Sequence, residues 1–285
     1  MIAITGASGH LGQLVIHELL KKLPATNLAA LVRTPGKASG LSARGVALRQ
    51  ADYGDAGSLE KALAGIEKLL LVSSSEIGRR VAQHRNVISA AKRAKVKFLV
   101  YTSLLHADTS TLSLAAEHLE TENLIKESGI PYALLRNGWY TENYTASVPA
   151  ALAHGAFVGS AGNGRISSAA RVDYAEAAAA VLTGPVHSAA IHELAGDNAY
   201  TLTELAAEIS RQTGKSIPYV DLPESEYRSV LIKAGLPEGL AAGLAGWDVD
   251  AARGALFDEG RGLSRLIGRP TTPLAASIRQ ALKID

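Results

Sequence analysis

Apolar positions in this chain follow two rhythms that take turns. Residues 1–5 are a short apolar run stopped by Gly6, which predicts a strand. Leu11, Leu14, Val15, Glu18, Leu19 and Leu20 then follow helical spacing. The alternation goes on. Strands are predicted at Leu28–Val32 and over residues 46–50, 68–72, 98–102 and 132–135. Helices are predicted over residues 58–64, 81–93 and 114–126, the last closed by Gly129. The strands are continuous apolar runs and do not alternate, as expected when both faces of a sheet are covered by helices. Strand alternating with helix predicts an α/β fold, a Rossmann-type doubly wound parallel sheet.

The rhythm loosens after Asn137. Residues 155–164 hold four glycines and read as a loop or hairpin. A helix over 175–182 and a strand over 191–194 follow, then helices near 202–212, 224–234 and 274–282. Gly235, Pro237, Gly239, Gly243 and Gly246 read as breakers of the stretch between the last two. The expected organisation is a cofactor-binding domain over residues 1–136. A smaller substrate-facing lobe over 137–285 partly returns to the main sheet.

Composition narrows the partners. Of 285 residues, 47% are hydrophobic and 20% charged, enough for a sizeable core and too few charges for a disordered chain. The 29 basic and 27 acidic residues are mixed without a basic block, so nucleic acid is not an expected partner. No cysteine occurs, which excludes disulfides and thiolate metal sites, and the eight histidines form no metal-binding motif; no metal is expected. The first residues run straight into a strand. Neither a secretion signal nor a membrane partner is expected, and the cytoplasm is the expected compartment. Oligomeric state is not legible.

The most informative motif is Thr5-Gly6-Ala7-Ser8-Gly9-His10-Leu11-Gly12, between the first strand and the first helix. Gly6 permits a tight turn, Gly9 lets backbone approach a pyrophosphate, and Gly12 allows close helix–strand packing. The helix start then offers N–H groups and a positive dipole end to phosphate. At the end of the second strand, an NAD-type site would place an acid for the ribose hydroxyl. This chain has Arg33, with Lys37 nearby and no Asp or Glu between residues 29 and 51. An arginine clamps a 2′-phosphate that an acid would repel, so NADP(H) is the expected cofactor. Arg33 as an ordinary solvated charge is the alternative. Asp52 has two readings, an acceptor for the adenine amino group or a cap of the helix near Ser58.

Further segments stand in a recognisable order: Leu31-Val32-Arg33, Asp52-Tyr53, Ser73-Ser74-Ser75, Gln83-His84-Arg85-Asn86, Tyr101-Thr102-Ser103 and Leu135-Arg136-Asn137-Gly138-Trp139-Tyr140. With the glycine loop, they make the chain resemble the NmrA-like atypical short-chain dehydrogenases. Within that family it is most similar to members that reduce quinones and triphenylmethane dyes. The resemblance implies cofactor binding by Gly6, Ala7, Ser8, Gly9, His10 and Leu11, by Arg33, by Ser73, Ser74 and Ser75, and by Asn137, Gly138, Trp139 and Tyr140.

Short-chain dehydrogenases normally carry Tyr-x-x-x-Lys on the helix after the fifth strand, the tyrosine acting as proton donor. Here that helix reads His118-Leu119-Glu120-Thr121-Glu122 and contains no tyrosine. Two functions fit the loss: a cofactor-binding regulator that does no chemistry, or an NADPH-dependent reductase whose acceptor needs little acid help. A quinone is such an acceptor, because hydride addition leaves a phenolate-like anion that water can protonate. The enzyme then has mainly to align the reactants and donate hydrogen bonds to the developing oxyanion. Candidate donors are Asn137, Trp139, Tyr140, Asn143 and Tyr144, with Asn143 first because its amide donates without titrating. Trp139 and Tyr140 are read either as a stacking surface for a flat acceptor or as core. His84 and His106 are read either as pocket-facing or as structural, and His118 with Glu122 as a surface or core pair.

Overall fold

The structure, a computed structural model, describes residues 1–284. In chain order it begins with β1 (Ile2–Ile4), α1 (His10–Leu20), β2 (Leu28–Val32), α2 (Ser39–Ala43), β3 (Ala47–Gln50) and α3 (Ala56–Leu63). β4 (Lys68–Leu71), α4 (Arg80–Arg93), β5 (Phe98–Leu104), α5 (Ala115–Ser128) and β6 (Tyr132–Asn137) follow. Next come α6 (Thr141–Thr145), α7 (Val148–His154), β7 (Phe157–Gly159), α8 (Arg171–Thr183) and β8 (Ala190–Leu194). The chain closes with α9 (Leu202–Thr213), β9 (Tyr219–Asp221), α10 (Glu224–Lys233), α11 (Glu238–Ala252), α12 (Gly262–Ile267) and α13 (Leu274–Leu282).

The chain forms two compact units, and their boundaries do not follow a single cut. The first comprises Met1–Asp108, Leu114–Asn137 and Arg171–Leu194. Its seven strands lie in the order β3-β2-β1-β4-β5-β6-β8, and every neighbouring pair is parallel. That is the doubly wound arrangement, with the order reversing between β1 and β4. Reversal leaves a crevice beyond the carboxyl ends of β1 and β4, where ligands bind in such sheets. Ala3, Ile4, Leu28, Leu31, Leu69, Leu70, Leu99 and Val100 are buried in this sheet, which is why these strands carry no polar face. Loss of any one of the leucine or isoleucine side chains among them to alanine costs roughly 2–5 kcal/mol.

The second unit comprises Thr109–Ser113, Gly138–Ala170 and Ala195–Asp285. It is mostly helical and holds a two-stranded parallel pair, β7 with β9. α9 starts on a capping box, with Thr201 and Glu204 each satisfying the other's backbone N–H. Two expectations are met only in part here. The glycine-rich stretch over 155–164 forms a loop at residues 160–164, one of its two readings, and makes no hairpin. Its strand, Phe157–Gly159, pairs in parallel with a segment some sixty residues later, which requires a crossover. Of the expected breakers, Gly235 and Pro237 do separate α10 from α11, but Gly239, Gly243 and Gly246 do not break the stretch that follows. Pro237 stands at the N-cap of a continuous 15-residue helix, α11. Gly243 lies against the Trp247 ring, where a Cβ would sit 3.1 Å from Cζ2. Ala241, Ala245 and Ala251 are buried along the same helix. Alanine propensity and this packing offset glycine's cost of about 1 kcal/mol per helical position.

Candidate active site

A cavity of about 280 Å³ opens at the β1–β4 reversal. Gly6, Ser8, Gly9, His10, Leu11 and Gly12 form one wall. Leu31, Val32 and Arg33 form a second, Ala51, Asp52 and Tyr53 a third, and Val72 through Glu76 with Gln83 a fourth. The glycine turn is built as the motif requires. Gly6 has φ +57°, a left-handed conformation that disfavours other residues. Gly9 heads α1 without any side-chain cap. A Cβ on Gly12 would collide with the Gly6 carbonyl oxygen and lie 2.8 Å from Ala7 Cα. The backbone is therefore folded tightly under the loop, and no side chain caps the α1 N-terminus where it borders the cavity.

These features fit a dinucleotide: a shallow glycine cradle, an uncapped helix start for the pyrophosphate, and a basic residue at the cavity's edge. Arg33 supplies the last. Its side chain is 69% exposed, and its NH1 donates to Glu76 Oε1 at 3.2 Å. Ala7, in contrast, is fully buried below the turn and its N–H donates to Leu31 O at 3.3 Å, so it supports the loop from beneath.

The Ser73–Ser75 segment is held from behind. Ser73 N donates to Thr102 Oγ1 (2.9 Å), and Ser74 N donates to His84 Nε2 (2.9 Å). Ser74 Oγ donates to Gln83 Oε1, and Arg80 Nε donates to Ser74 O (2.8 Å). Because His84 accepts at Nε2, its ring proton sits on Nδ1 and faces Thr121 Oγ1 at 3.0 Å. Burial, with the nearby Arg80 charge, pushes the His84 pKa down to about 3. His84 is thus a neutral structural donor–acceptor that fixes the serine segment. Asp52 also resolves. Asp55 caps α3 by accepting from Gly57 N and Ser58 N, while Asp52 lines the cavity with Oδ1 accepting from Gly54 N at 2.7 Å.

On α5, where a proton donor is expected in related dehydrogenases, the side chains are sealed. His118 Nδ1 lies 2.7 Å from the Tyr101 hydroxyl, and both residues are buried. Burial, then the Arg80 charge, lowers the His118 pKa to about 3, and burial raises the Tyr101 hydroxyl well above its ordinary value. Glu122, fully buried, accepts from Ser103 Oγ (2.7 Å) and from Arg136 Nε (2.9 Å) and NH2 (2.8 Å). Arg136 NH1 also donates to Asp108 (2.9 Å) and Glu193 (2.8 Å), and these hydrogen bonds, Glu122's first, hold its guanidinium protonated. His118 and Glu122 are therefore core residues with separate partners and not a surface pair. His106, in a left-handed conformation at φ +53°, lies 3.7 Å from Glu193 through Nδ1.

Asn137 ends β6, and its buried Oδ1 has no hydrogen-bond partner. Asn137, Gly138, Trp139 and Tyr140 do not line the cavity described above. In the second unit, Trp139 packs edge-on against Trp247, with centroids 5.7 Å apart. Trp247 Nε1 donates to Ser113 Oγ at 3.0 Å. Tyr140 is the N-cap of α6, so Asn143 follows it within one turn while Trp139 lies outside the helix. Asn143 is exposed, and its backbone N–H donates to Tyr140 O at 3.0 Å. Tyr144 is buried and its hydroxyl has no hydrogen-bond partner.

Sequence reasoning missed Glu76 and Gln83 as cavity residues. Glu76 meets Arg33 across 43 positions, a contact that no local spacing announces. Its place directly after the serine triplet was the available signal.

A nucleotide crevice with a sealed fifth helix defines a class: an atypical short-chain dehydrogenase fold. The chain belongs to the NmrA-like family, whose model matches residues 1–247. It is 57% identical over 285 residues to quinone oxidoreductase 2 of Escherichia coli K12, covering 100% of both chains. A crystal structure of the NADPH-dependent quinone oxidoreductase of Escherichia coli complexed with NADPH superposes with a TM-score of 0.96 at 58% identity, covering 99% of this chain and 100% of that one. Triphenylmethane reductase of Citrobacter sp., solved with NADP(H), gives a TM-score of 0.95 at 38% identity, again covering 99% and 100%.

Proposed function

We propose that this chain is an NADPH-dependent reductase that passes hydride to a quinone or a similar small apolar acceptor, without a Tyr-x-x-x-Lys proton relay. The observation that carries the reading is the contrast within the first unit. A glycine cradle with an exposed arginine stands at the β1–β4 reversal, while the α5 positions that would hold a proton donor are locked in the core. Likeness to the quinone oxidoreductases over the full chain supports the acceptor class.

The cofactor supplies the hydride, and everything else falls to the chain. Gly6, Ser8, Gly9, His10, Leu11 and the α1 N-terminus hold the pyrophosphate through N–H groups and the helix dipole. Arg33 holds the 2′-phosphate, and a bidentate guanidinium–phosphate contact favours NADPH over NADH. Ser73, Ser74 and Ser75 border the same groove, fixed by His84, Gln83 and Arg80 so that little ordering remains to be done on binding. Asn137 is assigned to the cofactor because its unmet buried acceptor costs roughly 1–3 kcal/mol until a donor arrives. Gly138, Trp139 and Tyr140 are assigned with it as the continuation of that segment. Asn143 is assigned as the donor to the acceptor's developing oxyanion, since it is exposed and its amide needs no proton uptake to donate. Quinone reduction is downhill, so alignment and oxyanion stabilisation suffice and water supplies the proton.

Fluorescence titration with NADPH and NADH, followed by NADPH oxidation against a panel of small quinones, tests the reading. Tighter NADPH binding and quinone-stimulated oxidation are expected. Binding without any acceptor-dependent turnover would point to a regulator and overturn the reductase assignment.

A further inference from the structure

An acid stands where an NADP-preferring pocket has least use for one. Glu76 lines the same cavity wall as Ser73, Ser74 and Ser75, and its carboxylate is shared among three partners. Oε1 accepts from Arg33 NH1 at 3.2 Å. Oε2 accepts from Gln83 Nε2 at 3.0 Å and from Arg79 NH1 at 3.2 Å. Glu76 N donates to Ser74 Oγ at 3.2 Å, which fixes the backbone beneath the carboxylate. The side chain is about one-third exposed and Arg33 about two-thirds.

The two oxygens therefore have unequal attachments. The Oε2 side has two partners, a buried glutamine and Arg79, itself 73% exposed, whereas the Oε1 side is held only by Arg33, 69% exposed and part of the cavity lining. An exposed ion pair of this kind is weak and readily exchanged. A 2′-phosphate carries more charge than a carboxylate and offers three acceptor oxygens, so it outcompetes Oε1 for the guanidinium. Glu76 stays behind on Gln83 and Arg79, still charged and still facing the phosphate.

We infer that Glu76 is a specificity-determining residue: its carboxylate competes with the 2′-phosphate for Arg33, moderates NADPH affinity, and penalises the phosphate whenever Arg33 is not bridging the two. The inference rests on the assignment of Arg33 to the 2′-phosphate. In this account discrimination comes from the pair. Arg33 alone attracts the phosphate, and Glu76 alone, reaching in from beyond β4, repels it as the acid after the second strand of an NADH-type pocket does. The protein then trades some affinity for easier release of the oxidised cofactor.

The test is a double-mutant cycle read by equilibrium binding of NADPH and of NADH, with no acceptor present. Glu76→Gln keeps the shape and the Gln83 and Arg79 contacts while removing the charge. It is expected to tighten NADPH binding by about two- to fivefold, the range for one exposed ion pair, and to leave NADH within about twofold. In an Arg33→Ala background the acid faces the phosphate with only the exposed Arg79, on its other oxygen, as a counter-charge. There the same change should recover NADPH affinity by about tenfold, as expected for a like-charge contact at a partly exposed site. Unchanged or weaker NADPH binding in Glu76→Gln, or an equal change for both cofactors, overturns the inference while leaving the cofactor assignment standing. Wild-type protein that binds neither cofactor would instead remove the assignment on which it rests. Melting temperature measured beside each titration confirms that the variants are folded.

Discussion

The two halves of the parallel sheet use polar residues in opposite ways. On the β1–β2–β4 side, Arg33 and Glu76 stay partly in solvent, α1 begins uncapped, and the glycine turn leaves its backbone open. On the β5–β6 side, His118, Glu122, Tyr101 and Arg136 are all buried and each is fully engaged. The helical spacing that presents a tyrosine and a lysine to substrate in related dehydrogenases serves here to tie α5 to β5 and β6. Site chemistry is thus retained where the cofactor binds and converted to architecture where a proton relay would stand. Residue type at a familiar spacing does not settle a role; burial and partners do.

The strongest way to break this comparison is to remove the architecture. Glu122→Ala leaves Arg136 buried without its most enclosed partner, and breaking a buried pair of this kind costs about 3–5 kcal/mol. Urea unfolding should show that loss, while turnover per folded molecule stays near wild type. A stable variant with collapsed turnover would place Glu122 in the chemistry.

Asn143→Ala probes the other side of the distinction. Acceptor-dependent kcat/KM should fall roughly 100-fold if the amide donates to the oxyanion, with NADPH affinity little changed. Melting temperature must be measured with the kinetics, because lower stability with unchanged turnover would make Asn143 a structural residue.

Arg33→Ala sharpens the comparison at the open end. NADPH binding should weaken by about 1.5–3 kcal/mol, the range for a charged hydrogen bond, with NADH spared. Equal losses for both cofactors would remove the phosphate-clamp role.

Acidification separates the regions more gently. His84 and His118 stay neutral in the folded protein down to about pH 3, while the unfolded chain protonates them near their ordinary 6.5. The unfolded state therefore binds more protons across that window, and stability falls as pH falls through it. Asp248 opposes this. Burial first, then the Asp221 charge, raises its pKa from 3.8 to about 6, so the folded state holds the extra proton between those values. His84 and His118, joined by His192, whose pKa burial also lowers, outweigh the one aspartate, so stability falls with pH between 6 and 4. A melting curve series over that range should decline steadily, and a flat one would contradict the sealed, neutral histidines.

Much of this was legible in the chain. The strands of the first unit stand where continuous apolar runs put them, and the glycine turn has the cradle its spacing implied. β5 reaches Leu104, past its predicted end, because Ser103 and Leu104 pair with Arg136 and Asn137, a partnership set by the neighbouring strand. α11 was obscured by glycines whose cost is offset by Trp247 and the alanines beside them, which propensity alone does not weigh. The Arg33–Glu76 contact was invisible because it joins the ends of two strands far apart in sequence. The fates of His84 and His118 were open for the same reason. Only packing shows that one fixes Ser74 and the other meets Tyr101.

The central claim is that this chain reduces its acceptor without lending it a proton. The most direct test is kcat/KM for NADPH-dependent reduction of a small quinone between pH 7 and 9. His84 and His118 titrate far below that window and the buried Tyr101 hydroxyl far above it. The account predicts a measurable rate that stays level across the range. A rate that falls about tenfold per pH unit toward pH 9 would reveal a protonated group of the chain in the reaction, and no quinone-dependent oxidation at any pH would contradict the activity itself.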